Sequence, residues 1–529
     1  MKKRILSLVL VVTMLLGCVV GCSDQQEENV VAVDWNETGY PIVNEPLTLK
    51  VGVLAGTVSQ GEWDELEWVK KLERESGINL EFVIYNNSES VNLMFASQVY
   101  PDISFGVGTD KQIADAAAGD AVYALNDYLE EYAPNWNNYL TENEEVRKSI
   151  TYSDGNIYSL PMVRDEEYNY SLRDQWLIEK SWLDELGLQM PTTVEEFYNV
   201  LKAFKANAGK GSIPKDVIPY YIYGITNDVG GALDFINSFG VGVVRSGHMV
   251  TVNEKGKVEC NYTDKSIIEP INWLNRFVNE DLIPKECFTD SFDTYLTKIK
   301  STTTTIGSYH AYTNRDLTMS KTVAMAPLDS GNGEEPIIRS QSNIVTKNYF
   351  TVYKTCKYPE IALRLANMIA EEDWSIQASY GMIGGEDTTV TKDESGKYIV
   401  DDGDGEYAGL YVPGERVAYL ISEDLHKKVV LTETSKNYSR RWAVDNVYKD
   451  YSMDIDTLYP TFVMSDENAD RLAELELDIN SHISKTLSKW VMNGGAEKGW
   501  DEYIKQLNDF GMEEYLQLLQ QELDAYNAR

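Results

Sequence analysis

Residues 176–204 read WLIEKSWLDELGLQMPTTVEEFYNVLKAF, and this stretch decides the fold. Ile178, Trp182, Leu183 and Leu186 recur at helical spacing, and Gly187 followed by the apolar Leu188 is what a Schellman-type helix end requires. Pro191 stops any continuation. Thr192 is placed to cap a second helix with Glu195 reaching back to it, and Val194, Phe197, Leu201 and Phe204 form its apolar stripe. The spacing predicts helix, tight turn and capped helix, a unit that many folds share.

Upstream, Leu47, Leu49, Val51 and Val53 alternate as a strand, Leu66, Val69 and Leu72 give a helix ended by Gly77, and residues 78–84 form a second strand. This βαβ order implies a parallel sheet with a right-handed crossover. Ser88 can cap a helix running through Phe95, and Tyr100-Pro101-Asp102-Ile103-Ser104-Phe105-Gly106 leads into a third strand and its exit turn. Ligands gather at the carboxyl ends of strands in such sheets, which singles out loops 54–63 and 105–110. Asp154-Gly155 lies between strand-like flanks, a hairpin signal. Downstream come a Gly-rich run, a hairpin turned at Lys255-Gly256, a helix over 267–277, strands near 302–306 and 323–328, and a helix over 359–371. A long helix carries Leu472, Leu475, Ile479, Ile483, Leu487 and Trp490, and a helical pair covers 500–526.

With 529 residues the chain exceeds what one hydrophobic core fills, so two lobes are expected. Lys2, Lys3 and Arg4 precede an apolar run from Ile5 to Leu16, the pattern of a signal peptide rather than a membrane span. Two lipoprotein-type boxes follow, ending at Cys18 and Cys22. Cys22 is favoured because the polar run from Ser23 to Glu28 follows it directly. Residues 1–21 are therefore expected as signal peptide, and 22–46 as lipidated cysteine and flexible linker. Without Lys2, Lys3 and Arg4 the 47 basic residues fall to 44 against 84 acidic ones, a net charge of −40 that repels nucleic acid and anionic headgroups. Cys260, Cys287 and Cys356 remain, without metal-ligand spacing. They are either buried free thiols or include one pair, Cys260 with Cys287.

The order of motifs resembles the extracellular solute-binding proteins of family 1, in their LipO-like lipoprotein branch. Trp182-Leu183-Asp184 to Gly187-Leu188, Pro191-Thr192-Thr193 to Phe197 and Leu201-Lys202-Ala203-Phe204-Lys205 carry the resemblance. So do Pro101-Asp102-Ile103, Asp154 to Pro161, and the C-terminal Trp500-Asp501-Glu502-Tyr503 and Gly511 to Leu516. Asp281 stands where the family has a Gly, and Gly384-Gly385 occupies part of a segment that carries a Glu in the family. The resemblance implies an α/β fold of the two-lobed periplasmic-binding type (type II), each lobe a mainly parallel sheet flanked by helices, with a helical C-terminal end. It places 47–160 and 303–347 in the N-terminal lobe, and 161–302 and 348–529 in the C-terminal lobe. It also implies closure over a carbohydrate, most simply an oligosaccharide, and delivery to the permease of an ABC importer. The chain is expected as a monomer, bound to the membrane by its lipid alone.

No phosphate loop, nucleophile elbow or zinc-protease motif is present, and His248, His310, His426 and His482 lack ligand spacing. A secreted glycosidase needs only two carboxylates across a sugar cleft and is the enzymatic rival; a peptide or other polar solute is the alternative ligand. No catalytic residue, resident metal or cofactor is expected. Sugar recognition needs aromatic faces and fixed polar groups. Trp63, Tyr309, Tyr312, Tyr380 and Trp442 are the candidate faces, and Asp102 and Arg164 the candidate hydroxyl partners, although Asp102 equally suits a turn cap. Trp182, Trp273, Trp490 and Trp500 sit on helical stripes as core. Many family members carry a calcium loop after the Leu-Lys-Ala-Phe-Lys helix. Here residues 206–216 offer only Asn207, Ser212 and Asp216 as oxygen donors beside Lys210 and Lys215, too few for ~6–8 ligands. The acidic run 401–406 reads as a surface turn.

Overall fold

The computed structural model describes residues 33–56, 62–165, 174–244, 248–301, 303–311, 322–338, 345–384, 388–402, 412–414, 416–435 and 438–529. A first lobe begins with β1 (Leu47–Leu54), α1 (Glu67–Ser76), β2 (Ile78–Tyr85), β3 (Ile103–Phe105) and β4 (Ser159–Arg164). A second follows with β5 (Gln175–Glu179), α2 (Lys180–Leu186), α3 (Val194–Ala206), β6 (Ile218–Tyr221), β7 (Ile306–Ala311) and β8 (Thr322–Ala324). The chain then re-enters the first lobe through β9 (Val345–Val352), α4 (Glu372–Tyr380) and β10 (Leu420–Ile421). It leaves by a short helix, α5 (Tyr438–Ala443), and ends on the second lobe with α6 (Asp466–Asn493), α7 (Ala496–Asp509) and α8 (Met512–Asn527).

The first sheet has the order β10-β4-β9-β3-β1-β2 and the second β8-β5-β7-β6. β1 runs parallel to β2 and β3, as the βαβ reading requires, and β10 runs parallel to β4. β9 is antiparallel to both β3 and β4. In the second sheet β6 and β7 are parallel, whereas β5 is antiparallel to β7 and β8. The reason is directional. β4 and β8 leave their sheets toward the other lobe, and β9 and β5 arrive from it, so arriving and departing strands oppose each other.

Two large cores follow this division. Trp68, Trp136, Leu160 and Phe350 belong to one, and Trp176, Phe197, Leu201 and Phe204 to the other, which also takes α6, α7 and α8. This reassigns part of the expected lobe boundaries. Residues 306–311 were expected to return to the first lobe, but β7 lies between β5 and β6. Residues 348–431, expected in the second lobe, pack β9, α4 and β10 into the first. Strand partners are chosen by burial across the sheet, which local sequence does not encode.

The deciding stretch is corrected at its start. Trp176, Leu177 and Ile178 lie in β5, buried on both faces, and the helix begins only at Lys180; a short apolar run fits strand and helix equally. The remainder forms as read. Gly187 adopts φ 66°, Leu188 N donates to Leu183 O at 2.8 Å, and Val194, Phe197, Leu201 and Phe204 are all buried. The cap shifts by one residue: Thr193 and Glu196 form the reciprocal capping box, and Glu196 also accepts from Thr192 N and Oγ1. Asp154-Gly155 turns as expected, yet β4 pairs with β9 and β10 rather than closing a hairpin.

The expected flexible linker is also shorter than 22–46. Ile42 and Val43 are buried, and Ile42 N donates to Ser76 O at 2.7 Å. Arg364 Nη2 donates to Gly39 O at 2.6 Å, and the Tyr40 hydroxyl bonds Glu371. Residues 33–46 are thus part of the first lobe. Among the described residues no helix is long and apolar enough to cross a membrane.

Candidate functional site

Strand direction sets where the lobes face each other. The carboxyl ends of β1, β3 and β4 and the amino end of β9 share one edge of the first sheet. The carboxyl ends of β6, β7 and β8 share one edge of the second with the amino end of β5. The chain passes between the lobes three times, in crossovers between Arg164 and Gln175, between Ala324 and Val345, and between Leu431 and Asp466.

On the first-lobe edge, Arg164 is the last residue of β4. Its Nη2 donates to Ser379 Oγ at 2.6 Å, and its guanidinium carbon lies 5.4 Å from the centroid of the Tyr380 ring. Both partners end α4. Gly381 follows at φ 121°, where a Cβ would lie 1.7 Å from Thr389 Oγ1, so only glycine lets the chain turn away here. The structure therefore brings together two predicted site residues, Arg164 and Tyr380, from positions far apart in the chain. It also adds Ser379, which sequence reasoning missed; its adjacency to the Tyr-Gly turn was the available signal.

Trp442, on α5 in the third crossover, is 47% exposed, and its carbonyl accepts from Asn446 Nδ2 at 2.8 Å. It remains an open aromatic face.

Three other predicted residues serve the fold. Trp63 is 3% exposed, stacked on Phe82 at 5.4 Å and tilted against Phe105 at 6.0 Å, along a groove of about 560 Å³ beside β2. Asp102 precedes β3 at its amino end, opposite the cleft edge. Its Oδ2 accepts from Lys50 N at 2.8 Å, and burial raises its pKa against that bond. Tyr309 is buried within β7, its hydroxyl 3.2 Å from Thr322 Oγ1. Tyr312 and Cys22 lie outside the described residues.

The second-lobe edge holds a buried polar cluster. The Trp176 ring stacks on His310 at 5.2 Å, and its Nε1 donates to Ser308 Oγ at 3.1 Å. His310 Nε2 lies 2.8 Å from the Tyr220 hydroxyl, and its Nδ1 lies 3.5 Å from Asp234 Oδ2. Gly230 N donates to Asp174 Oδ2 at 3.0 Å. These carboxylates are committed to holding the second lobe. Trp182 packs edge-on against Phe204 within the core.

The loop after α3 is closed by charged side chains. Lys210 Nζ reaches Ala206 O and Asn207 Oδ1, both at 3.3 Å, and Glu185 Oε2 accepts from Ser212 N at 3.1 Å and Ser212 Oγ at 2.5 Å. Among the described residues no cluster of three or more His, Cys, Asp or Glu side chains is placed to hold a metal ion. Asp401 Oδ1 accepts from the hydroxyls of Thr432 and Thr434; residues 403–406 of that acidic run lie outside the described residues. Cys260, Cys287 and Cys356 are free and buried.

No family model matches the chain. It is 25% identical over 516 residues, 92% of each chain, to the fructooligosaccharide ABC transporter substrate-binding protein FusA of Streptococcus pneumoniae. Over nearly its whole length the chain is similar to an ABC-transporter substrate-binding protein. Lipoprotein LipO of Bacillus subtilis is 24% identical over 301 residues, 54% of this chain and 52% of LipO. The structure of FusA in complex with kestose superposes with a TM-score of 0.79 at 23% identity, covering 91% of this chain and 99% of FusA. A solute-binding protein from Bifidobacterium longum infantis, described as binding human-milk oligosaccharides, gives 0.78 at 22% identity, with 91% and 99% covered. The two-lobed α/β fold is thus common to all three. In a substrate-binding protein, facing sheet edges joined by three crossovers are the geometry that lets two lobes close on a solute.

Proposed function

We propose that this chain is a substrate-binding protein that captures an oligosaccharide between its lobes and presents it to the permease of an ABC importer, working as a lipid-anchored monomer on the outer face of the cell membrane. Full-length similarity to FusA, a fructooligosaccharide-binding protein, carries the reading. Signal peptide 1–21 and a lipid on Cys22 attach it. Arg164, held by Ser379 against Tyr380, is a fixed charged donor beside an aromatic ring, each exposing only an edge (6% and 7%), and Trp442 offers a free face; sugars present both hydroxyls and C–H surfaces to such groups. Trp63, Asp102 and Tyr309 support the lobes that carry this cleft. Closure is a population shift that follows when ligand contacts both lobes.

The protein makes and breaks no bond in the sugar. Calorimetry with kestose and with human-milk oligosaccharides, followed by chromatography of the recovered sugar, tests both halves. Saturable binding with unchanged sugar is expected. Hydrolysis overturns the receptor reading in favour of a glycosidase, and binding confined to peptides overturns the ligand class.

A further inference from the structure

The crossovers do not run independently. Ile338 of the second packs with Ala443, Val444 and Tyr448 of the third, a small core separate from those of the lobes. Ile338 N donates to Tyr451 O at 2.8 Å and Met453 N to Ile338 O at 3.2 Å, a parallel bridge across Ser452.

This core meets the second lobe at Ala324, at Asn237, whose carbonyl accepts from Ile337 N at 3.1 Å, and at Trp176. β8 separates from β5 after Ala324 pairs with Leu177, which leaves Trp176 without a strand partner on that side. Met325 N donates to Trp176 O at 2.7 Å. The Tyr448 hydroxyl fills the rest of the gap: it accepts from Trp176 N at 2.9 Å and donates toward Trp176 O at 3.3 Å. A hydroxyl can do both, which no aliphatic side chain can. The first crossover leads into β5, whose second residue is Trp176, the second starts beside it at Met325, and the third touches it through Tyr448. The Trp176 ring is immobilised by His310 and Ser308, so the joint rests on rigid sheet.

Tyr448 ends a π-helical turn, Val444–Tyr448, that directly follows α5 and its exposed Trp442. Such turns recur at functional sites because they re-aim the residues around them.

We propose that Tyr448 is a hinge-positioning residue. Its hydroxyl fixes the three crossovers to one another at Trp176 and thereby sets the balance between open and closed lobes, and the π-turn couples that balance to Trp442. The inference rests on the reading of lobes that close on a ligand, and it is tested without any sugar, so failure to bind a particular sugar does not bear on it.

The experiment places spin labels on the full chain in detergent at two exposed positions, Glu89→Cys in the first lobe and Lys255→Cys in the second, and measures the interlobe distance distribution by pulsed electron resonance. Tyr448→Phe removes one hydroxyl and leaves the buried Trp176 N–H without its acceptor. A change of about tenfold in the ratio of the two lobe arrangements is expected. Tyr353→Phe is the control, since it removes an equally buried hydroxyl, bonded to Ser104 within the first lobe. Its distribution is expected to match the wild type. A Tyr448→Phe distribution that superimposes on the wild type overturns the proposal, and so does an equal shift in Tyr353→Phe.

Discussion

Replacing Trp442 by Ala separates a residue that meets ligand from one that holds the fold. Trp442 is 47% exposed, and none of the described aromatic rings stacks on it. A whole Trp side chain buries roughly 150–250 Å², so about 100 Å² is left for a sugar face. Covering about 60 Å² of that, at ~25 cal/mol/Å², is worth about 1.5 kcal/mol, roughly tenfold in Kd. Calorimetry with kestose should therefore show a Kd about ten times weaker, while differential scanning calorimetry shows almost the same Tm. Trp63→Ala should behave in the opposite way. At 3% exposure, between Phe82 and Phe105, its truncation opens a cavity and costs ~3–5 kcal/mol of stability. Trp442→Ala with unaltered kestose affinity would remove Trp442 from the cleft. A drop in Tm as large as that of Trp63→Ala would show instead that Trp442 is packed.

Arg164→Lys keeps the charge but loses the fork that reaches Ser379 beside the Tyr380 ring; kestose affinity should fall about tenfold in calorimetry, as expected for ~1–2 kcal/mol of charge-assisted bonding. Chelator should leave Tm unchanged, because Lys210 and Glu185 already satisfy the loop after α3; a fall in Tm with EDTA that calcium restores would refute this. Burial pushes the thiols of Cys260, Cys287 and Cys356 up to about 12 from an ordinary 9.0. Folded pKa above unfolded pKa means that this stability is complete below pH 9 and is lost as pH rises from about 9 to 12. Native protein at pH 8 should then react with no thiol reagent until unfolded. Arg364→Ala removes the donor that holds Gly39 O, so limited proteolysis should cut within residues 33–46 while the rest of the first lobe stays protected.

Legibility in the sequence followed range. The Gly187 helix end, the α3 stripe and the βαβ start were readable because each depends on residues a few positions apart. The cap at Thr193 was missed by a single residue, since Thr192 and Thr193 are chemically equivalent and both bond Glu196. Trp63 illustrates a limit of position-based reading: it does follow the first strand, yet Phe82 and Phe105 close over it. Asp102 leads into the third strand as read, and its bond from Lys50 N fits the turn-cap alternative; which edge of the sheet that amino end occupies relative to the other lobe is not stated by a Pro-Asp pair. Arg164 and Tyr380 were each visible as candidates, but nothing in their separate neighbourhoods said they would meet.

The sequence by itself determined a large two-lobed α/β protein with export and lipidation signals expected at its start, aromatic-rich and strongly acidic, whose ordered motifs resemble a solute-binding family. Tertiary structure alone decided that β7 belongs to the second sheet and β9 to the first, that residues 33–46 are packed, and that Trp63 and Tyr309 are core while Trp442 stays open. It alone joined Tyr448 to Trp176, 272 residues apart. The physical reason is that period, caps and turns are fixed by neighbours along the chain. Strand partners and buried hydrogen bonds are fixed instead by which apolar faces and unpaired main-chain groups must leave water together, and that requirement has no fixed spacing in the sequence.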